Sequence, residues 1–260
     1  MEGEVVTLQL KPQVEVIDGD CLNVMTAWEN DKSRGLYDVV ITDPPFNTMK
    51  DQVGPNRALR FADSYNDYHE WLMKRLTAAW ECLAPTGSMY VHLDQREVHR
   101  VKVLMDIHFG QDSFLNEIIW SYDYGARQKN KWATKHDNIL VYVKDPSQYY
   151  FDLEASDRIP YMSPGLVGPE KTARGKIPTD VWWMSILHTA SPLRTGYPTQ
   201  KPPELYKRML LVSCPPGGRV LDPFAGAGTT GLAAADLGLN ATLIDSNQQA
   251  IEIMRGFFPQ

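Results

Sequence analysis

The stretch RVLDPFAGAGTT, residues 219–230, joins the patterns of two different elements. Its first four residues have the apolar centre of a short strand, and the alanine-rich residues 231–237 predict a helix. Gly226 and Gly228 lie between the two. Because glycine has no Cβ, this turn can approach a ligand closely, and the free N–H groups of the helix start can bind a carboxylate or a phosphate. The stretch therefore predicts a strand–turn–helix unit with a ligand site.

An acidic residue follows this unit at the distance of one further strand. Residues 241–244 predict that strand, and Asp245 comes directly after it. An acid in this position of a βαβ unit can hydrogen-bond the diol of a ribose. Gly226, Gly228 and Gly231 also fit the spacing GxGxxG of dinucleotide sites. The residues alone therefore leave the ligand open between a dinucleotide and S-adenosylmethionine.

The rest of the chain alternates short apolar runs with amphipathic ones, which predicts an α/β fold with a largely parallel sheet covered by helices. Strands are expected at 14–18, 37–42 and 88–93, with an antiparallel pair at 117–122 and 139–143. Helices are expected at 22–28, 68–83, 97–109, 204–212 and 248–256. Residues 145–199 predict an irregular insertion and residues 48–67 a mobile loop. With 260 residues, we expect one domain, residues 1–260.

Composition excludes several classes of protein. The net charge of −6 argues against a protein that coats nucleic acid without selectivity. No run approaches the roughly 18 apolar residues of a membrane span, so we expect a soluble, cytoplasmic protein. Cys21, Cys82 and Cys214 lie far apart in the sequence, which predicts reduced thiols, no disulfide framework and no metal site.

A second informative stretch is DPPFNT, residues 43–48, directly behind the apolar run YDVVIT. The exocyclic amine of adenine or cytosine is a poor nucleophile, because its lone pair is delocalised into the ring. The Asp43 carboxylate and the Pro44 carbonyl can each accept a hydrogen bond from one of its two N–H groups. Together these hydrogen bonds draw the nitrogen towards tetrahedral geometry. Phe46 can stack on a base that has left the double helix. A rigid surface turn is the alternative, and the position after a buried strand favours catalysis.

With these stretches the chain resembles the β-class DNA amino-methyltransferases, which depend on S-adenosylmethionine. The resemblance covers nearly the whole length and is carried by IDGDCLNVM (17–25), YDVVITDPPFN (37–47), NEIIW (116–120), YPTQKP (197–202) and VLDPFAGAGTT (220–230). It implies a Rossmann-like class I methyltransferase sheet. The order of the motifs implies circular permutation, with the catalytic motif first, an inserted target-recognition segment next and the cofactor glycines last. The C-terminal helix should then lead directly to the strand that begins at Val14.

The resemblance assigns roles to individual positions. The catalytic residues are Asp43, Pro44, Pro45 and Phe46. The residues around the methionine part of the cofactor are Asp222, Phe224, Gly226, Gly228 and Thr229, with Lys201 near the same end; Asp245 is the ribose acid, and Asp20 and Cys21 approach the adenine. This chain departs from the family by Phe46 in place of the more frequent tyrosine, by Ala227 in place of serine and by a short insert.

The expected DNA contacts form a basic and aromatic segment around Trp132, opposed only by Asp137. Its phosphate-binding candidates are Arg127, Lys129, Lys131 and Lys135. A second group, Lys171, Arg174 and Lys176, fits a solvated loop equally well. The resemblance implies double-stranded DNA as partner, a prokaryotic or phage-type cytoplasmic protein, and is compatible with a homodimer and with a paired restriction endonuclease.

The leading hypothesis is an adenine-N6 DNA methyltransferase, because in the resembling family an aspartate at the first motif position usually accompanies adenine. A cytosine-N4 enzyme is the nearest alternative, since the same geometry serves both amines. A catalytically silent DNA-binding subunit is a third hypothesis, against which the intact Asp43 and Gly226 argue. A nicotinamide oxidoreductase is disfavoured, because nothing in the sequence orients a hydride acceptor.

Overall fold

Strands and helices alternate along the computed structural model, which describes residues 12–28, 36–54, 59–125, 127–188 and 190–259. The strands are β1 (Val14–Asp18), β2 (Tyr37–Thr42), β3 (Gln52–Val53), β4 (Arg60–Phe61), β5 (Leu83–Leu93), β6 (Phe114–Ser121), β7 (His136–Val143), β8 (Val181–Trp183), β9 (Arg219–Asp222) and β10 (Asn240–Asp245). The helices are α1 (Cys21–Trp28), α2 (Tyr68–Glu81), α3 (Val98–Phe109), α4 (Pro169–Arg174), α5 (Pro203–Ser213), α6 (Thr229–Asp236) and α7 (Gln248–Phe257). The expected α/β class is confirmed.

Eight of these strands form one sheet in the order β1-β10-β9-β2-β5-β7-β6-β8. The first five pair in parallel, whereas β7 runs antiparallel to both β5 and β6. The antiparallel pair expected near the end of the sheet is therefore confirmed. The central strand β2 is buried at all positions except Asp38, as a strand covered on both faces should be.

Two apolar cores lie on the two faces of the sheet. Helices α1, α2 and α3 contribute to one core through Met25, Leu72 and Val101. Helices α5, α6 and α7 contribute to the other, which includes Leu210 and Ile251. Within the described residues, no helix combines the length and the apolar character that crossing a membrane requires.

The strand order changes direction between β9 and β2. From β9 the chain proceeds to β10 on one side, whereas from β2 it proceeds to β5 on the other. In open α/β sheets such a switch point leaves a crevice at the carboxyl ends of the strands. The loop 223–228 and the turn 43–48 both begin there, so the two most informative stretches of the sequence meet.

The two ends of the described chain meet at one edge of the sheet. Strand β1 pairs in parallel with β10 along its full length, from Val14 opposite Ala241 to Asp18 opposite Asp245. Helix α7, which follows β10, packs against β1. This is the arrangement that circular permutation predicts.

Strand β5 begins earlier than the sequence indicates. A strand was expected from residue 88, yet β5 starts at Leu83. Tyr37 pairs with Leu83 and Val39 with Ser88, so the intervening residues form a bulge. Pro85 lies in this bulge, where its missing N–H costs no ladder hydrogen bond.

The two irregular segments contain more structure than expected. In 48–67, β3 and β4 form a small antiparallel hairpin, and residues 55–58 lie outside the described residues. The Gln249 side chain accepts from the Arg60 N–H, which ties the hairpin to α7. In 145–199, β8 adds to the sheet edge in parallel with β6. The mobility of the first segment and the target-recognition role of the second stay predictions.

Candidate active site

A cleft of about 1250 Å³ lies at the switch point. Single small-molecule sites usually measure about 300–1,000 Å³, so this cleft has room for more than one group. Its lining includes eleven of the thirteen catalytic and cofactor-site candidates: Asp20, Cys21, Asp43, Pro44, Pro45, Phe46, Lys201, Phe224, Gly226, Thr229 and Asp245. The structure therefore brings together residues from the beginning, the middle and the end of the chain.

The turn after β2 is fixed by hydrogen bonds from α2 and its neighbourhood. The Tyr68 hydroxyl donates to the Pro45 carbonyl at 2.6 Å. Asn47 has a left-handed backbone with φ of 53°. Its side-chain amide donates to Glu97 at 3.1 Å and accepts from the Tyr65 N–H at 3.2 Å. A left-handed residue whose side-chain amide is hydrogen-bonded through both its nitrogen and its oxygen indicates a turn whose shape is imposed by its surroundings.

Asp43 lies between two basic side chains. The Lys201 ammonium is 2.5 Å from one carboxylate oxygen and 5.1 Å from the centre of the Phe46 ring. His92 Nδ1 is 3.3 Å from the other oxygen. Lys201 was expected near the methionine part of a cofactor. It lines the same cleft and also forms an ion pair with Asp43, and its contact with a cofactor stays a prediction.

His92 links Asp43 to a second carboxylate. It is 2% exposed, and its Nε2 lies 3.3 Å from Asp137 Oδ2. The Tyr122 hydroxyl donates to the other oxygen of Asp137 at 3.1 Å. Burial acts to raise the pKa of Asp137, but the hydrogen bond and charge of His92, with further help from Lys201 and Tyr122, hold that pKa below its ordinary value. Asp137 is therefore an ionised partner of His92 and not an acid that opposes the basic segment.

The rings of Phe46, Trp120 and Tyr122 line the cleft, and the buried His92 packs against the first two. The centres of the Phe46 and His92 rings are 5.5 Å apart, as are those of His92 and Trp120, both in edge-to-face geometry. Tyr122 lies 5.1 Å from Trp120. Such walls suit a planar ring, which can stack on one aromatic face and meet the edges of others.

The glycine loop and Asp245 form the other side of the cleft. Gly226 has φ of 50°, and its N–H donates to Asp245 at 2.8 Å. The Asn247 N–H donates to the second oxygen of Asp245 at 2.8 Å. Burial raises the pKa of Asp245 above its ordinary value, although these backbone donors oppose the change. A Cβ on Gly226 would lie 3.2 Å from the Tyr197 ring, a tight contact within the cleft lining, and the positive φ also favours glycine here.

Two of the cofactor-loop candidates support the loop from behind. Asp222 is 2% exposed and accepts from the Thr230 hydroxyl at 2.5 Å and from the Phe224 N–H at 3.0 Å. Gly228 has φ of 77°, and a Cβ there would meet Met254 at 2.8 Å. Neither residue lines the cleft. Their position explains why the loop keeps its shape, whereas Phe224, Gly226 and Thr229 line the cleft.

Asp20 and Cys21 lie where β1 leads into α1. The Asp20 carboxylate accepts from the Leu22 N–H at 3.0 Å and from Arg75 at 2.6 Å. Burial acts to raise the pKa of Asp20, and Arg75 with the backbone donors brings it below its ordinary value. Burial raises the pKa of Cys21 to about 12, so the thiol is neutral. The Arg75 guanidinium lies 4.3 Å from the centre of the Trp71 ring, which also lines the cleft.

The basic segment connects β6 to β7. It lies on the side of the sheet where β2 ends and the catalytic turn begins. Arg127, Lys129 and Lys131 are exposed, and Trp132 is 96% exposed. Lys135 differs from the other three, because its ammonium donates to the carbonyls of Tyr124 and Gly125. Three of the four cations are therefore available for phosphate, and the fourth holds the loop.

Several residues in or beside the cleft were not part of the predicted site. Arg75, Tyr122, Asp137 and Tyr197 line the cleft. His92 and Tyr68 are buried beside its lining residues Asp43 and Pro45. The signal for His92 and Asp137 was weak: each is a polar residue near the end of an apolar run. The pairing of β5 with β7 brings the two ends together.

Comparison with known proteins agrees with this geometry. A family model described as DNA methylase matches residues 37–255. The Type II methyltransferase M.HpaI of Haemophilus parainfluenzae is 32% identical over 235 residues, which are 90% of this chain and 72% of that protein. The DNA adenine methyltransferase YhdJ of Escherichia coli is 30% identical over 227 residues, covering 83% and 74% of the two chains.

Solved structures show the same fold. The M1.HpyAVI–SAM complex has a TM-score of 0.63 at 20% identity, over 94% of this chain and all of that chain. The cytosine-N4-specific PvuII DNA methyltransferase has a TM-score of 0.69 at 16% identity, over 96% and 88%. The family model spans well over half of the sequence, and the predicted resemblance is thereby confirmed. The chain belongs to the DNA methylase family.

Proposed function

We propose that the protein transfers a methyl group from S-adenosylmethionine to the N6 amine of adenine in double-stranded DNA. The observation that carries this proposal is the meeting of the DPPF turn and the glycine loop at the switch point of the sheet. The DPPF turn presents hydrogen-bond acceptors for an amine. The glycine loop presents Gly226, and next to it lies Asp245, a carboxylate that can bind a ribose diol. Both face one cleft.

The residues of the cleft fit the cofactor. A side chain at Gly226 would make a tight contact within the cleft lining, and Asp245 lies one βαβ unit further on, where a ribose diol can be bound. Phe224 and Thr229 complete the loop, and Asp20 and Cys21, which follow the neighbouring strand β1, belong to the same lining and would approach the adenine. When bound, S-adenosylmethionine supplies an electrophilic methyl group.

The chain's own residues prepare the amine. Asp43 accepts a hydrogen bond from one N–H group of the target amine, and the Pro44 carbonyl accepts one from the other. The Pro44 carbonyl is available because no described residue donates to it. Tyr68 prevents the turn from relaxing. Phe46 stacks on the base. Lys201 must leave Asp43 as the amine arrives, so that one hydrogen-bonded nitrogen replaces another and the buried carboxylate stays paired.

Two observations favour adenine over cytosine. An aspartate stands at the first position of the motif, and YhdJ, at 30% identity, is a DNA adenine methyltransferase. The cytosine-N4-specific PvuII enzyme shares the fold at 16% identity, so the fold alone does not choose the base. Cytosine N4 is the second candidate.

DNA binding through the basic segment is part of the proposal. Arg127, Lys129 and Lys131 are exposed on the edge of the sheet that carries the cleft, where phosphates next to an extruded base would lie. The target-recognition role of residues 145–199, a homodimer and a paired restriction endonuclease stay predictions of the family resemblance.

The experiment that tests the function is nucleoside analysis of methylated DNA. The purified protein is incubated with S-adenosylmethionine and unmodified duplex DNA, and the digested product is examined by mass spectrometry. The proposal expects N6-methyladenine. N4-methylcytosine alone would support the second candidate, and no methylated nucleoside on DNA of any sequence would refute both.

A further inference from the structure

A buried imidazole faces the catalytic candidate through a nitrogen that has no hydrogen-bond partner among the described residues. His92 Nδ1 is completely inaccessible to solvent, and no described residue forms a hydrogen bond with it. Asp43 Oδ1 lies 3.3 Å away but outside hydrogen-bond geometry. An unpaired buried nitrogen costs free energy, so its retention beside a reactive group calls for a functional explanation.

The opposite nitrogen of the ring defines the proton arrangement. Nε2 lies 3.3 Å from Asp137 Oδ2, and because a carboxylate oxygen accepts hydrogen bonds, Nε2 carries the proton. In the neutral ring Nδ1 is then unprotonated and presents a lone pair towards Asp43. Nδ1 and the Asp43 oxygen are then two acceptors that face each other. One additional proton between them would form a hydrogen bond.

Charged groups surround the ring and would stabilise a proton that reaches it during the reaction. The groups that face it from the neighbouring elements are Asp43 after β2, Asp137 on β7, Lys201 before α5 and Tyr122 after β6. With a neutral imidazole, two carboxylates and one ammonium give a net charge of about −1. A proton added to the ring makes the buried group neutral overall and places the imidazolium between two carboxylates.

Methylation of an amine releases such a proton. As the N–CH₃ bond forms, the S–CH₃ bond breaks with its electron pair passing to sulfur, and the nitrogen becomes positively charged. It returns to neutrality when one N–H bond breaks. We infer that this proton passes through the Asp43 carboxylate to Nδ1 of His92, where the Asp137 carboxylate stabilises the resulting imidazolium.

This inference rests on the proposed function and deepens it. His92 does not touch the base, because Asp43 lies between the two. It is therefore a positioning and proton-accepting residue that acts through Asp43. The long and misaligned contact between Nδ1 and Oδ1 is expected before substrate binds, since catalytic hydrogen bonds often tighten only in the complex. When the incoming amine displaces the Lys201 ammonium from Asp43, the Asp43 carboxylate is free to turn towards the His92 ring.

The test compares single-turnover methyl transfer in the unmodified protein and in His92→Gln between about pH 5 and 9, the range that includes ordinary histidine titration. The rate of methyl transfer by the unmodified protein should fall towards acid pH, because a protonated ring cannot accept a further proton. This fall is the acid limb of the profile. His92→Gln should lose about 10²-fold in rate at neutral pH, as expected for removal of a proton acceptor, and should lose the acid limb of the profile. His108→Gln on α3, outside the cleft, is the matched control. It should keep both the rate at neutral pH and the acid limb.

A second variant keeps the test valid if His92→Gln fails to fold. Asp137→Asn is isosteric and removes the charge that stabilises the imidazolium, so the acid limb should move to lower pH. A purely structural role would lower the rate without moving the limb. A folded His92→Gln with unchanged rate and profile, or an Asp137→Asn limb at its original pH, would overturn the inference. Absence of methyl transfer by the unmodified protein would instead refute the proposed function.

Discussion

Asp222→Asn measures what it costs to hold a carboxyl group beneath the glycine loop. Asp222 is 2% exposed, and burial raises its pKa from an ordinary 3.8 to about 7, although the Thr230 hydroxyl and the Phe224 N–H oppose the change. The unfolded chain releases this proton at the ordinary value, so between the two values the folded protein holds a proton that the unfolded chain has lost. The fold therefore becomes less stable as the pH rises through this interval.

The size of the effect follows from the width of the interval. About three pH units at about 1.4 kcal/mol each give a loss of about 4 kcal/mol, absent below about pH 4 and complete above about pH 7. Asparagine cannot ionise and avoids this loss. The free energy of unfolding of Asp222→Asn minus that of the unmodified protein should thus rise by up to about 4 kcal/mol between these limits.

Urea unfolding followed by circular dichroism at several pH values measures this difference. Taking the difference between two proteins cancels the titration of all other groups. Asp112→Asn is the matched control, because this aspartate is exposed and its side chain makes no hydrogen bond or ion pair with the described residues. Its curve should stay parallel to that of the unmodified protein. A constant difference between Asp222→Asn and the unmodified protein across the pH range would refute the reasoning.

Three other predictions concern the cleft and the basic segment. Gly226→Val should abolish binding of S-adenosylmethionine with the fold intact, because a side chain at φ of 50° would fill the cleft edge; undiminished binding by calorimetry would contradict this placement. Replacing Arg127, Lys129 and Lys131 together with alanine should weaken binding to every DNA sequence and reduce the slope of log K against log salt by about 3, and an unchanged slope would identify a solvated loop. Tyr68→Phe should lower single-turnover methyl transfer about tenfold, because the catalytic turn loses a buried donor; an unchanged rate would show that the turn holds its shape without it.

Much of the fold could be predicted because local patterns and tertiary structure agree. Strand β2 and the strand before the glycine loop, β9, have the predicted bounds, since apolar runs ended by turn residues define them. Strand β8 was missed, because VWW in an irregular stretch carries no periodicity of its own. Its conformation depends on pairing with β6, from Ile119 opposite Val181 to Ser121 opposite Trp183.

The site could be predicted where its chemistry is local. Asp43 and Gly226 lie in short motifs whose meaning depends on neighbouring residues. The contact between Lys201 and Asp43 joins residues 158 positions apart, and no local pattern indicates it. His92 and Asp137 likewise meet only through the antiparallel pairing of β5 with β7. Long-range pairing therefore determines the part of the site that the sequence interpretation omitted.

The central claim is that the DPPF turn carries out catalysis, and single-turnover transfer of labelled methyl to duplex DNA by Asp43→Ala tests it most directly. Binding of cofactor and DNA is measured in parallel. We expect Asp43→Ala to bind both and to transfer methyl at least ~10²-fold more slowly, because the amine loses a preorganised acceptor. Asp43→Asn should also be slow, since its amide oxygen accepts but carries no negative charge. An Asp43→Ala protein that binds cofactor and DNA and methylates at the unmodified rate would contradict the account.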